Sequence, residues 1–247
     1  MNNLAIIQAR MTSSRLPGKV MLKINDIPSI KFQIDRIRNS KVDNLVIATS
    51  TDSSDDELVE YLRMIHVEVR RGPLEDVATR FLQILDEFNP KNFLRLTADC
   101  PFVMSQLIDQ MLDVFKLSDL DYLSNANPPT FPDGLDIEIV KTSAFRRLVR
   151  SGLSQLEREH VTLGFHSDER SFILGNYENK MNLSSLRWTV DYPEDLDHLR
   201  EIAALLVGQE ARFTIEDILK LLEIYPKITN KRGSSFRNIA LTIDPEK

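Results

Sequence analysis

Apolar runs alternate with amphipathic segments along the first half of the chain. After a first strand that opens close to residue 1, further apolar runs predict buried β-strands at 44–49, 67–69, 93–98 and 121–124. Between the strands, apolar residues at helical spacing predict α-helices at about 27–39, 55–64, 75–88 and 107–115. Regular alternation of strand and helix is typical of a doubly wound, mostly parallel sheet, so the pattern predicts an α/β fold.

The rhythm changes after residue 124. Prolines and asparagines at 125–134 predict turns without a helix. The segments that follow predict a strand, a helix capped by Ser154 and a further strand, at 135–140, 154–165 and 171–174. We interpret approximately 126–183 as a smaller lobe inserted into a single domain that spans residues 1–247.

The regular pattern returns near residue 186. It predicts a strand at 186–191, a helix opened by Pro193 that ends at about 207, and a last helix, capped by Thr214, that ends at about 225. The chain from residue 226 onward is polar. This tail, with its basic pair at 231–232, is predicted to be solvated and loosely packed.

Composition argues against several classes of protein. A net charge of −6 argues against a general nucleic-acid binder, because such a protein needs a dominant basic surface. The single cysteine, Cys100, leaves no partner for an intrachain disulfide, which suits a reducing compartment. No stretch approaches the roughly 20 apolar residues of a membrane span, and the first residues lack the basic segment of a signal peptide. We therefore expect a cytoplasmic protein without a membrane partner.

The loop that leaves the first strand is rich in small residues and carries the cations Arg10, Arg15 and Lys19. Such a loop can hold a polyanion, and a nucleoside triphosphate is our hypothesis. A solvated surface loop with unrelated cations is the equal alternative on these residues alone. A P-loop would require Gly where Ser13 stands and Ser or Thr where Val20 stands. A dinucleotide-binding turn would require glycine spacing that the chain lacks.

Two segments end in the same pattern, Leu-Arg-x-Thr-x-Asp-x-Pro, at 94–101 and 186–193. Alternation along a strand places the arginine, threonine and aspartate of each segment on one face. Asp99 and Asp191 would then stand at carboxyl ends of strands, where open α/β sheets bind ligands, and they are candidates to hold one Mg²⁺. The alternative is that each is a turn residue or a helix N-cap. The matched pair and the cationic loop together favour the metal.

The stretches 8–19, 96–101 and 190–196 resemble the cytidylyltransferases that activate acidic sugars, which make CMP-octulosonate and CMP-sialate. The chain is most similar to their spore-coat polysaccharide biosynthesis branch, and the resemblance covers nearly the whole chain in order. It implies a Rossmann-like nucleotidyltransferase fold and a Mg²⁺-dependent, homodimeric enzyme. That enzyme would transfer CMP from CTP to an acidic sugar, with release of pyrophosphate, for surface polysaccharide biosynthesis.

The resemblance also implies a role for individual residues. The catalytic groups would be Arg10, Lys19, Asp99 and Asp191, of which the two aspartates would carry Mg²⁺. The nucleotide would be bound by Arg10, Ser14, Arg15, Lys19, Arg71 and Arg80. The sugar would be contacted by Asp133, Asp136 and Glu138, within the same lobe as the dimer contact. The run 157–160 is similar to a run in the same branch whose role we leave unassigned. Where the octulosonate enzymes typically have Gly-Asp-Glu-Pro, residues 98–101 are Ala-Asp-Cys-Pro, which leaves the sugar open.

Two alternatives remain open. A nucleotidyltransferase that acts on a sugar-1-phosphate with another NTP usually has a more glycine-rich first loop, and a catalytically silent binding or assembly protein could share the fold. His160 and His166 are interpreted as surface helix residues and not as a base or a metal pair, since no third ligand has a recognisable spacing. Cys100 is interpreted as a small buried residue, and Trp188 and Val190 as core.

Overall fold

The computed structural model describes residues 1–167 and 169–228. Within these ranges the strands are β1 (Asn3–Gln8), β2 (Lys23–Ile24), β3 (Ile27–Pro28), β4 (Asn44–Ser50), β5 (Glu68–Gly72), β6 (Asn92–Thr97), β7 (Tyr122–Ser124), β8 (Glu138–Lys141) and β9 (Leu174–Asn176). The helices are α1 (Ser29–Ile37), α2 (Asp56–Met64), α3 (Val77–Phe88), α4 (Ser105–Lys116), α5 (Thr142–Arg150), α6 (Gln155–His160), α7 (Pro193–Ala204) and α8 (Ile215–Ile224). Single 3₁₀ turns occur at Lys19–Met21, Ser53–Asp55 and Leu163–His166.

The central sheet has seven strands in the order β5-β4-β1-β6-β8-β7-β9. β1 pairs in parallel with both β4 and β6, and β4 pairs in parallel with β5. β8 is antiparallel to β6 and β7, and β9 is parallel to β7. The chain reverses its direction across the sheet between β1 and β6, so their carboxyl ends form a topological switch point, where such sheets bind ligands. The predicted α/β fold with a mostly parallel sheet is confirmed.

Both faces of the sheet are covered, which explains why β1 is a continuous apolar run. Ala5 and Ile7 pack into a core with the apolar faces of α1, α4 and α7, whereas Leu4 and Ile6 pack into a second core with α3 and α5. All four of these side chains are 0% exposed. The sheet is therefore a rigid platform for the loops at its carboxyl edge.

The predicted strand at 186–191 is wrong. Residues 186–190 belong to no strand, and their strand-like contact is a single bridge between Asp133 and Arg187. The Trp188 amide donates to the Asp133 carbonyl at 2.6 Å, and the Val190 amide donates to the Asp99 carbonyl at 2.8 Å. Gly134, at φ +101°, allows this approach, because a Cβ there would lie 2.4 Å from the Thr189 nitrogen. Trp188 and Val190 are 0% and 1% exposed, as predicted for core residues.

The second half of the chain departs from the expected boundaries. The predicted helix over 154–165 ends at His160, because Val161 adopts a φ of +52° that no α-helix contains. α5 was not predicted, and the strand expected at 171–174 lies at Leu174–Asn176. The region interpreted as a lobe, 126–183, contributes β8 and β9 to the main sheet.

Three helix starts were predicted correctly. Ser154 and Thr214 form capping boxes with Glu157 and Asp217, and Pro193 is the first residue of α7. The predictions for the end of the tail, including the basic pair at 231–232, lie outside the described residues. Across residues 1–167 and 169–228, none of the helices combines the length and apolar character that crossing a bilayer requires.

Candidate active site

Two adjoining clefts lie at the carboxyl ends of β1 and β6. The smaller, about 200 Å³, follows the loop after β1 and is called the loop cleft; its walls include Arg10, Ser14, Lys19, Leu74 and Arg80. The larger, about 480 Å³, is called the lobe cleft; its walls include Arg95, Tyr122, Asp133, Asp136, Glu138, His160, Arg187 and Asp191. Arg15, Thr97 and Asp99 line both clefts, so they mark the place where the clefts meet.

Lys19 joins the two predicted aspartates at this place. Its Nζ lies 3.2 Å from Asp99 Oδ2 and 2.9 Å from Asp191 Oδ1, and it also donates to the Val190 carbonyl at 2.7 Å. The three side chains are 12%, 29% and 14% exposed, in the order Lys19, Asp99, Asp191. The sequence prediction that the two carboxylates meet is therefore supported by the geometry, although Asp191 does not follow a sheet strand.

The charges in this cluster stabilise one another. Burial lowers the pKa of Lys19, but the carboxylates of Asp99 and Asp191 outweigh burial, and the net shift is upward. Burial raises the pKa of Asp99, but the Lys19 ammonium and hydrogen bonds from Lys19, Thr97 and Cys100 outweigh it, and the net shift is downward. Lys19 and Asp99 are consequently both charged at neutral pH.

Arg187 holds Asp191 from the other side. Its Nη2 donates to Asp191 Oδ2 at 3.1 Å, its Nη1 to Asp133 Oδ2 at 2.5 Å, and its Nε to Asp195 Oδ1 at 2.9 Å. Asp195 also accepts the backbone amides of Asp191 and Tyr192, at 2.9 Å and 3.0 Å. Asp195 was not predicted as a site residue; its position in the first turn of the helix opened by Pro193 was the available signal.

The donor set fits a hard divalent cation. Two carboxylates converge on one point, and carboxylate oxygen is what Mg²⁺ prefers. In the part of the chain that the structure describes, no group of three or more His, Cys, Asp or Glu side chains forms a complete metal cage. Mg²⁺ commonly takes its other ligands from water and from substrate phosphates, so two carboxylates suffice.

The remaining predicted nucleotide ligands divide into two groups. Arg10, Ser14, Arg15 and Arg80 line the loop cleft, with Arg15 also bound to Asp191 at 2.9 Å. Arg80 is 1% exposed and donates to the Pro73 and Leu74 carbonyls, and burial lowers its pKa to about 10. Arg71 lies outside the linings of both clefts. Its guanidinium is bound to the Asp56 carboxylate and to the carbonyls of Ser50 and Asp52.

The predicted sugar ligands all line the lobe cleft, but different side chains bind them. The Glu138 carboxylate accepts hydrogen bonds from Arg95, from Tyr122 at 2.6 Å and from Thr162 at 2.7 Å. Burial raises the pKa of Glu138, yet Arg95 and these donors outweigh it and keep the carboxylate charged. Burial together with Glu138 raises the pKa of Tyr122 well above its usual value. Asp133 is bound to Arg187. Asp136, the remaining predicted ligand, also lies on this wall.

The two histidines line the lobe cleft, His160 half-buried at the end of α6 and His166 exposed at the end of the 3₁₀ turn Leu163–His166. The turn that presents His160 is unusual: the Thr162 amide donates to the His160 carbonyl at 2.5 Å across Val161, which has φ +52° and ψ −60°. These are the features of a γ-turn of the rarer, strained kind. Burial lowers the pKa of His160, with a further contribution from Arg95 and Arg10, so its imidazole is neutral at pH 7. Cys100 is 4% exposed, and burial raises its thiol pKa well above the usual value.

A mostly parallel sheet with a cationic loop after its first strand and two acidic groups beside it is the architecture of a nucleotidyltransferase. Residues 4–225 match the model of the cytidylyltransferase family, and the chain belongs to that family.

Individual relatives agree with this assignment. The chain is 30% identical over 239 residues to the spore coat polysaccharide biosynthesis protein SpsF of Bacillus subtilis, which covers 93% of this chain and 97% of SpsF. A cytidylyltransferase structure from Leptospira borgpetersenii superposes with a TM-score of 0.88 at 30% identity, covering 96% of this chain and 100% of that one. The CMP:2-keto-3-deoxy-manno-octonic acid synthetase complexed with CTP has a TM-score of 0.66 at 16% identity, covering 84% of this chain and 100% of the synthetase. This last likeness concerns the fold alone.

Proposed function

We propose that this chain transfers CMP from CTP to an acidic sugar, with release of pyrophosphate, for the synthesis of a surface polysaccharide. The observation that carries the proposal is the contact of Lys19 with both Asp99 and Asp191 where the two clefts meet. One cleft would take the nucleotide and the other the sugar, so the groups that promote transfer would stand between them. The name of SpsF supports a role in polysaccharide synthesis, and the resemblance of the sequence to acidic-sugar cytidylyltransferases supports the sugar class.

The loop cleft would bind the triphosphate. Arg10 and Arg15 offer forked donors to phosphate oxygens, Lys19 offers a point charge, and the Ser14 hydroxyl can add a hydrogen bond. These groups would stabilise the negative charge that accumulates on pyrophosphate as it leaves. Arg80, held by backbone carbonyls, would form the fixed wall behind the nucleotide.

Asp99 and Asp191 would hold Mg²⁺ between the clefts, with Arg187 and Asp195 fixing the orientation of Asp191. The bound ion would supply charge neutralisation at the phosphate oxygens. Lys19 contacts the same carboxylates and the Val190 carbonyl, so it fixes the spacing of the segment 190–191 from the loop.

The lobe cleft would orient the sugar. Its acidic wall, Asp133 and Asp136, can accept hydrogen bonds from sugar hydroxyls, and the Tyr122–Glu138–Arg95 network gives the floor a fixed shape. The sugar hydroxyl would attack the α-phosphorus in line, forming the new O–P bond as the bond to pyrophosphate breaks. Such a transfer depends mainly on positioning and on charge stabilisation, which these residues provide.

A pyrophosphate-release screen tests the proposal. Four NTPs would be combined with nonulosonic, octulosonic and phosphorylated sugars in the presence of Mg²⁺. We expect release with CTP and an acidic sugar. Release with a sugar-1-phosphate and a different NTP would contradict the proposal, and so would the absence of release from folded protein that binds nucleotide.

Asp191→Asn tests the carboxylate in the same assay. The variant keeps the size of the side chain but loses the charge, so we expect a folded protein and a loss of Mg²⁺-dependent release on the order of 100-fold. Asp197→Asn, on the helix α7 that follows Asp191 and with its carboxylate 62% exposed, is the matched control and should retain activity. Near-normal turnover of Asp191→Asn would remove the metal assignment.

A further inference from the structure

A buried carboxylate lies beneath the loop that follows β1. Asp55 stands at the end of the 3₁₀ turn Ser53–Asp55, in the polar stretch after β4, and is 0% exposed. Burying a charged carboxylate is costly unless hydrogen bonds satisfy its oxygens. The hydrogen-bond partners of Asp55 therefore indicate what its carboxylate does in the fold.

Both oxygens of Asp55 are occupied, and they face different parts of the molecule. Oδ2 accepts from the Thr49 hydroxyl at 2.9 Å, the Ser50 amide at 3.0 Å and the Ser50 hydroxyl at 2.5 Å, all at the carboxyl end of β4. Oδ1 accepts from the backbone amide of Met11 at 2.7 Å, across 44 positions of sequence. One side chain thus connects the sheet edge to the loop.

Hydrogen bonds to Met11 join the two ends of the loop. Its carbonyl accepts the amides of Ser13 at 3.1 Å and Gly18 at 2.9 Å. Arg10 precedes Met11 and Lys19 follows Gly18, so the two ends of the loop, each carrying a cation, meet at this one residue. A bond that fixes Met11 to β4 fixes the direction in which both cations leave the backbone.

We propose that Asp55 is a positioning residue that holds the loop after β1 in the conformation that binds a triphosphate. Donors that are fixed before a ligand arrives bind it more tightly, because less conformational entropy is lost on binding. The structural part of the proposal, the anchoring of the loop, stands on the contacts of Asp55 alone. The triphosphate part rests on the proposed function.

Asp55→Asn breaks the link between the two backbones. An asparagine has one acceptor oxygen and one amide group that can only donate. The backbone amides of Met11 and Ser50 both only donate, so in either orientation the new amide group faces one of them. One side chain can then no longer accept from both the loop and β4.

Asp43→Asn is the matched control. Asp43 also accepts two backbone amides, those of Asn2 and Asn3, at 2.6 Å and 2.8 Å. These residues lie at the opposite, amino-terminal end of β1. Both amides bind Oδ2, so the control removes the charge from a carboxylate that accepts two backbone amides, without touching the loop.

Two measurements decide the proposal. Amide hydrogen exchange over residues 9–19 should become about tenfold faster in Asp55→Asn and should not change in Asp43→Asn. The ratio of CTP affinity to CMP affinity, measured by calorimetry with Mg²⁺, should fall about tenfold in Asp55→Asn alone, since CMP lacks the phosphates that the loop would hold. A purely structural role would lower thermal stability and leave this ratio unchanged.

The outcomes distinguish the two proposals. Unchanged exchange over 9–19 would overturn the anchoring role, and faster exchange with an unchanged ratio would overturn the positioning role. If wild-type protein binds no CTP, the proposed function fails and the positioning role fails with it, whereas exchange still decides the anchoring role. Should Asp55→Asn not fold, the wild-type Met11 amide should exchange more slowly than the other amides of 9–19, and fast exchange there would contradict the anchor.

Discussion

The ammonium of Lys19 occupies the same two carboxylate oxygens that would face a metal ion. It lies 2.9 Å from Asp191 and 3.2 Å from Asp99, in a place where all three side chains are largely buried. Charges that are this close together and this deeply buried interact strongly. A divalent cation must therefore displace Lys19 from these carboxylates or share the carboxylates with it. The arrangement makes Lys19 both a stabiliser of the site without ligand and a competitor of the metal.

We therefore predict that Lys19→Met binds a divalent cation more tightly than wild type in the absence of nucleotide. Removing the ammonium leaves Asp99 and Asp191 without their shared counterion, so the affinity for Mn²⁺, used as the probe in calorimetry, should rise about tenfold. CTP affinity should fall in the same variant. Lys23→Met, a substitution of an exposed lysine on β2, should change neither affinity. Unchanged Mn²⁺ affinity in Lys19→Met would show that Lys19 does not compete with the ion.

At the residue scale, the sequence predicted most of the charged residues that line the two clefts. Alternation through β6 and the residues after it predicted Thr97 and Asp99 on one face, and both line the two clefts. The repeated pattern paired Asp99 with Asp191. The sequence did not predict the role of Asp55, because a polar residue before a helix is equally consistent with an N-cap. The contact of Asp55 with Met11 also spans 44 positions, so no local pattern indicates it. The cost of burying a charge becomes visible only once burial is known.

Helix α6 illustrates the electrostatics of a single element. The Glu157 carboxylate closes the capping box with Ser154 and is also bound by Arg170, and these hydrogen bonds, that of Arg170 foremost, lower the pKa of Glu157 to about 2. A carboxyl group whose pKa is lower in the folded state stabilises the fold above its unfolded pKa, near 4.5. This stability is lost as the pH falls from about 4.5 towards 2.

Glu157→Gln should therefore weaken the acid dependence of folding. We expect the variant to be less stable than wild type at pH 7, and the difference in urea midpoint between the two to shrink as the pH is lowered from 5 to 3. Glu159→Gln, on the exposed side of the same helix, should follow wild type at every pH. A constant difference between wild type and Glu157→Gln would contradict the assigned pKa.

At the element scale, one pattern produced two different structures. Residues 94–97 belong to β6 because β1 and β8 flank them, whereas residues 186–190 carry the same alternation and lie against Asp133 and Asp99 without joining the sheet. Alternation indicates that one face of a segment is buried, but it does not indicate whether the segment pairs with another strand. The end of α6 was missed for a related reason, since a positive φ at Val161 contradicts the preference of a β-branched residue.

The two edges of the whole sheet are unlike. β5, at one edge, carries charge: Arg70 is bound to Glu68 on the same strand and to Glu87 on α3. β9, at the other edge, is Leu-Gly-Asn, and Ile173 and Leu174 are 56% and 39% exposed. Charged side chains are a common protection against edge-to-edge pairing, and an apolar edge without them favours contact with another chain. Among the described residues, β9 has a strand neighbour on one side only.

We predict that the chain forms a homodimer in which the β9 edge contacts a second copy. This extends the expectation from the sequence that 126–183 takes the dimer contact. Ile173→Lys would place a charge in that contact, so sedimentation at micromolar concentration should show dimers for wild type and monomers for the variant. Met64→Lys, which changes a 69% exposed residue on α2 beside β5, is the matched control and should remain dimeric. A monomeric wild type, or an Ile173→Lys protein that stays dimeric, would rule out this interface. The reason is that a lysine ammonium buried in an apolar contact loses its hydration without gaining a partner, which costs much of the affinity.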